Sequence, residues 1–225
     1  MHLERYSHCV LGFFSFTEIT DPSGHEAYNA WHQLDHLPEQ FTIDGITFGQ
    51  RWVRSPRCVD AEAATGTLLG PFHYMTLYLM RDEGCLPEFF ALAKRLAAED
   101  RFFAARRALL SGPFEVAGQW AAPRVAVSPG AVPFRPSQGV YVVVGPPVDG
   151  AALVDHHGVA GAWQFADRPG DRTVTVAFVD GDLWQAAAAL GPACTRGGGE
   201  VPQWAGPLER VDAFRWDWFA TLTPQ

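Results

Sequence analysis

Residues 27–52, AYNAWHQLDHLPEQFTIDGITFGQRW, carry the side chains most able to do chemistry. On a helix His32 and His36 stand one turn apart on roughly the same face. Histidine changes charge nearest neutral pH, so His36 is the first candidate for general acid or base work; the competing reading has it packing where Pro38 breaks the helix. Asp35 points about 100° away from His36 and is not automatically its partner. The H-x-x-x-H spacing also suits two ligands of one metal, but the zinc-peptidase version needs a glutamate where this chain has Gln33. No spacing singles out a third ligand, although His73 or Glu39 could serve. No metal and no other cofactor is therefore expected.

Strand-like residues 71–81 sort into two faces, because successive side chains alternate. His73, Met75, Leu77 and Leu79 should pack against helices. Tyr74, Thr76 and Tyr78 should then face a cavity between two sheets, where a phenol can donate to a substrate oxygen. Tyr74 is the stronger site candidate, and Tyr78 a pocket wall. Arg51, just after the motif helix, could hold a carboxylate or enolate or simply pair at the surface. Trp31 and Trp52 could wall an aromatic pocket, and Trp204, Trp216 and Trp218 extend the supply of rings; core filling is the plainer role for each. Other templates fail: there is no G-x-S-x-G elbow, P-loop, dinucleotide fingerprint or paired-cysteine metal site.

The elements that must position these residues alternate in the order βαββαβ. Residues 8–18 read as an apolar strand, 24–41 as a helix that Pro38 should break or re-aim, and 46–54 as a second strand. A loop at 55–70, long enough to gate a pocket, precedes strand 71–81, a helix over 86–108 and a closing strand over 113–120. Pro123, Pro129, Pro133 and Pro136 mark 121–138 as an extended connector. The order then returns compressed: strand 139–145, helix 149–158, strands 161–167 and 172–180, helix 182–190 and a last strand at 209–219. Gly197-Gly198-Gly199 reads as a flexible loop, not a phosphate cradle.

The return is visible in residues as well as periods. Val154-Asp155-His156 repeats Leu34-Asp35-His36, and Val159-Ala160-Gly161-Ala162 repeats Ile43-Asp44-Gly45-Ile46. The second copy has four fewer residues between these anchors, about one helical turn, so its helix can shorten without rotating its buried face. It reads as a degenerate, structural copy, with His156 and His157 as weaker site candidates. A βαββαβ unit makes one antiparallel sheet with both helices on one face, leaving the other face to be covered. Two units in one chain can cover each other. The predicted fold is α+β: two ferredoxin-like repeats, 1–120 and 139–225, packed sheet to sheet as a pseudo-dimeric α/β barrel, either monomeric or further dimerised.

Residues 28–52 resemble the motif of the dimeric α/β-barrel superfamily, and of its EthD-like members in particular. Trp31, His36, Leu37, Pro38 and Gly45 match W-x(4)-H-L-P and the glycine-turn strand, with Asp35 as the acid before the histidine. The resemblance covers both halves by topology and the first half by motif. It implies a family of cofactor-independent oxygenases, polyketide cyclases, isomerases, decarboxylases and some haem enzymes.

Bulk properties narrow the partners. The 225 residues carry a net charge of −8 with no basic half, which argues against nucleic acid and anionic membranes. No apolar run reaches the length of a membrane span, and MHLERYSHC lacks a signal-peptide core. Cys9, Cys58, Cys85 and Cys194 are scattered and fit reduced thiols in a cytoplasm. The expected function is a cofactor-independent lyase, isomerase or cyclase acting on an aromatic or polyketide-like molecule. In it His36 moves the proton, Tyr74 steadies an enolate, Arg51 orients an anion, and Trp31, His32, Trp52 and Tyr78 bind the substrate. A cofactor-independent monooxygenase on a phenolic substrate, and a non-catalytic binding or scaffold protein, are the rivals.

Overall fold

Several strands of this chain are apolar on both sides, so the sheet they form must bury both of its faces. The computed structural model describes residues 8–168, 170–195 and 201–212. The first half runs β1 (Leu11–Ile19), α1 (His25–Trp31), a π-helical turn (His32–His36), α2 (Leu37–Gln40), β2 (Ile46–Val53), α3 (Pro56–Asp60), β3 (Ala64–Thr65), β4 (Tyr74–Met80), α4 (Cys85–Ala98) and β5 (Arg106–Ala121). The second runs β6 (Gly139–Gly145), α5 (Gly150–Val154), β7 (Val159–Ala166), β8 (Thr173–Val179), α6 (Leu183–Thr195) and β9 (Trp204–Arg210).

All strand pairs are antiparallel, in the order β2-β4-β1-β5-β7-β8-β6-β9. The sheet closes where Trp52 pairs Arg210 and Val53 pairs Glu209, and β3 hangs on the outside of β9. The result is an eight-stranded barrel, which removes free sheet edges. Its interior is filled by side chains from both halves: Phe14 and Phe16, Trp52, Met75, Leu77 and Leu79, Val140 and Val142, Trp163 and Phe165, Val176 and Trp204. Phe14 and Phe165 meet edge to face, 5.0 Å between centroids, across the two halves. The helices lie outside, α1 and α4 over the first half, α5 and α6 over the second.

This reverses the expected sides of β4. Met75, Leu77 and Leu79 point into the barrel, while Tyr74, Thr76 and Tyr78 point outward under α1 and α4. The reason is chemical. A barrel interior filled by side chains offers few polar partners, so it takes the purely apolar face. The face under the helices keeps room for hydroxyl groups.

Several boundaries also differ from expectation. The helix predicted over 86–108 ends at Ala98, where Asp100 adopts φ 56° and Arg101 N–H reaches back to Leu96 O at 2.8 Å, a left-handed C-cap made without glycine. Residues 106–121 are strand instead. The segment 55–70 is not an open loop: it holds α3 and β3 and is tied down by the buried Arg54–Glu62 ion pair, remote from the cavity described below. The last described strand is Trp204–Arg210 instead of 209–219; Gly197 to Gly199, Trp216 and Trp218 lie outside the described residues. Between the halves, a 3-10 turn at Pro129–Phe134 lays the buried Val132 against Gly161, and Trp163 Nε1–H donates to Pro129 O at 2.9 Å. Among the described residues no helix is long and apolar enough to cross a membrane.

Candidate functional site

Pro38 lacks the N–H that an α-helix needs and crowds the carbonyl one turn back. The helix answers with the wide turn at His32–His36, in which Leu37 N–H bonds to His32 O, five residues back, and then continues to Gln40. The segment is re-aimed, not broken. Wide turns of this kind often occur at functional sites. Here it turns both His32 and His36 toward the sheet. They line a cavity of about 220 Å³ between the outer face of β1 and β4 and the covering helices. Ser15, Thr76 and Tyr78 form the floor, Tyr28 and Trp31 one wall, Phe89 and Phe90 the other, and Phe102 and Arg106 the side next to β5.

His36 stacks on Trp31, 4.6 Å between ring centroids at 24°, and meets Phe102 edge-on at 5.6 Å. His32 lies deeper, its ring centroid 5.1 Å from that of His36 and its Nε2 3.5 Å from Thr76 Oγ1. Burial, reinforced by the nearby Arg106 guanidinium, lowers the His36 pKa to about 4. Burial, with Arg51 next in size, holds His32 well below its usual range. Both are neutral imidazoles at pH 7. Burial also raises the Tyr78 phenol, which stays protonated. His32 Nδ1, His36 Nδ1, Gln40 Oε1, Tyr78 Oη and Arg106 Nε are all buried around this cavity without a hydrogen-bond partner among the described residues. Orphaned buried polar atoms are rare in folded proteins, and five around one cavity mark a place built to meet something polar.

The motif helix is held from outside. Asp35 faces away from His36, as the helical spacing requires, and takes Arg101 through Nη2–Oδ1 at 2.9 Å and Nε–Oδ2 at 3.2 Å; Glu39 binds the same guanidinium at 2.7 Å. Trp31 Nε1–H donates to Arg101 O at 2.8 Å, which fixes the ring on which His36 stacks.

Not every expected residue reaches the cavity. Trp52 is in the barrel core, on the opposite side of the sheet. Arg51 and Trp52 are neighbours on β2 and must face opposite ways. Arg51 is fully buried behind the cavity wall, its guanidinium 5.3 Å from the Tyr28 ring centre and 5.6 Å from that of Tyr74. Its Nη2 donates to Asn29 Oδ1, and no carboxylate pairs with it among the described residues. Because arginine only donates, Asn29 must turn its amide nitrogen to His25 O, at 2.7 Å, and to Tyr74 Oη, at 2.9 Å. Tyr74 Oη also shares a hydrogen bond with His25 Nδ1, 2.9 Å away. Tyr74 is thus committed to a structural chain and does not line the cavity. His73 stands beside His25 and accepts from Ile19 N–H at 3.0 Å, and Glu39 is held by Arg101, so neither comes to His32 and His36 as a third metal ligand. His156 is half-buried, His157 is exposed, and neither lines the cavity.

Residues missed in sequence are Tyr28, Phe102 and above all Arg106. The helical pattern running past Ala98 hid Arg106 as a surface cation of a last turn. A haem group does not fit this cavity: about 220 Å³ falls below the roughly 300–1,000 Å³ of sites for drug-sized ligands.

No family profile matches this chain, and no curated protein matches it in sequence. Solved structures match in fold. One, provisionally named a chlorite dismutase, superposes with a TM-score of 0.55 at 10% identity, covering 96% of this chain and all of its own. Another, provisionally named a monooxygenase from Fusobacterium nucleatum, gives 0.50 at 9% identity, covering 91% of this chain and 94% of its own. At such identities the likeness is one of fold.

Proposed function

We propose that this chain is two ferredoxin-like repeats in tandem, residues 1–120 and 139–225 joined by 121–138, and that the first, EthD-like repeat carries the working site. The strand order supports the repeat reading: β2-β4-β1-β5 and β7-β8-β6-β9 are the same arrangement of the same βαββαβ connections, apart from the inserted α3 and β3. The chain is then its own dimer, closed at the β5–β7 and β9–β2 seams. Its four free cysteines, three of them buried, suit a reducing cytoplasm.

The activity is cofactor-independent proton transfer on a small aromatic molecule, as a lyase, isomerase or cyclase. One observation carries this: a neutral imidazole, His36, is held between aromatic rings at a cavity ringed by unpartnered donors and acceptors. His36 is the group that takes and returns the proton. Tyr78, with its buried and unpartnered hydroxyl, replaces Tyr74 as the donor to a developing enolate. His32 holds a substrate oxygen and Trp31 its ring.

A monooxygenase reading is favoured by a different observation. Arg51 and Arg106 have no carboxylate partners among the described residues, so their field lowers the cost of a phenolate, the electron-rich form that reacts with oxygen. Incubation with a panel of small aromatic acids and ketones in D₂O, followed by NMR and an oxygen electrode, separates the readings. Proton transfer predicts carbon-bound deuterium or isomerised product with no oxygen uptake. Oxygen uptake in step with turnover contradicts it, and binding without any chemistry makes the protein a scaffold.

A further inference from the structure

We propose that the cavity selects an aromatic carboxylate of one ring, the ring against the aromatic side chains that line it and the carboxylate on Arg106; this rests on the cavity being a substrate site. Arg106 opens β5, and its guanidinium carbon stands 4.2 Å from the Phe102 ring centre and 5.6 Å from that of Trp31. Those are the two rings that also flank His36. Its Nε is sealed from solvent with no acceptor, and among the described residues no carboxylate pairs with it.

Arg54, buried to a similar depth or more, shows the ordinary solution, a bidentate pair with Glu62. A guanidinium drawn partly out of water without a counter-charge gives up solvation that nothing returns, so its retention needs a reason. Arg51 stands behind it as a second guanidinium without a carboxylate, and the acids of the motif helix, Asp35 and Glu39, are both spent on Arg101. Arg106 is therefore a cation on the cavity lining with no carboxylate to meet it among the described residues.

Size and shape narrow the class. An engineered apolar cavity of about 150 Å³ takes benzene. About 220 Å³ leaves room for a ring and a short anionic arm, not for an extended polyketide. The planar guanidinium fork matches a carboxylate with two parallel hydrogen bonds, which a neutral amide cannot return with equal strength.

Titration calorimetry at pH 7 with benzoate and its neutral isostere benzamide tests this. Charged hydrogen bonds make benzoate bind roughly 10-fold to 100-fold more tightly than benzamide. Arg106→Met should abolish that preference while leaving benzamide within about 3-fold of the wild type, and Arg106→Lys, which keeps charge without the fork, should fall between. Equal affinities in the wild type, or a preference that survives Arg106→Met, overturn the inference alone. Binding of neither compound overturns it together with the reading of the cavity as an aromatic site.

Discussion

Two tyrosines four residues apart on the same face of β4 illustrate how differently a hydroxyl can be used. Tyr74 Oη accepts from Asn29 and shares a hydrogen bond with His25 Nδ1, all three buried. Tyr78 Oη is buried with no partner among the described residues. Removing one member of a satisfied buried pair strands the others, whereas removing an unsatisfied group relieves a cost. Tyr74→Phe should therefore lose about 1–3 kcal/mol in urea unfolding, and Tyr78→Phe should be neutral or slightly stabilising in the ligand-free protein. Equal losses would show that the two environments are not distinct. Residue types alone pointed to His36, His32 and Trp31, because an H-x-x-x-H pair behind a tryptophan is recognisable without a fold. They misplaced Trp52, since adjacent strand residues cannot both face one pocket, and gave Arg51 a role that Arg106 is placed to fill.

At the scale of elements, strand order and helix order were legible from periodicity because apolar runs and turn clusters alternate cleanly. Which face of β4 looks inward was not. Both of its faces are largely apolar, and only closure of the barrel decides that the hydroxyl-bearing side lies under the helices. The end of α4 was hidden because Asp100, not glycine, takes the left-handed position. The turn into β2 was legible for the opposite reason. Gly45 has φ 92°, and a Cβ there would stand 2.5 Å from Cys85 Sγ at the start of α4. Gly45→Ala should cost about 1–3 kcal/mol of stability, from backbone strain together with the clash. A change within about 0.5 kcal/mol would mean that the turn does not lock the motif helix to α4.

For the molecule as a whole, buried histidines couple stability to pH. Burial lowers His25, His36 and His73 to about 4 and His32 well below its usual value. In the unfolded chain each returns to about 6.5. The unfolded state therefore binds more protons between these limits, so the stabilisation is fully present above about pH 6.5 and is lost as pH falls toward 4. Urea midpoints measured from pH 7.5 to 4.5 should fall steadily, with a slope of more than one proton. A flat profile would mean that these imidazoles titrate alike in both states. The same burial that creates this liability keeps His36 neutral and ready to accept a proton, so site and stability are linked through one set of contacts.

On the proposed reading His36 moves the proton and the other cavity residues hold the substrate. The most direct measurement is the saturated rate of solvent deuterium exchange into a bound aromatic substrate, comparing His36→Gln with the wild type. A drop of about 10²-fold to 10⁴-fold with substrate affinity nearly unchanged is the predicted result, since only the proton-transfer group is lost. An unchanged rate in a folded, substrate-binding variant would contradict the claim and place the chemistry elsewhere.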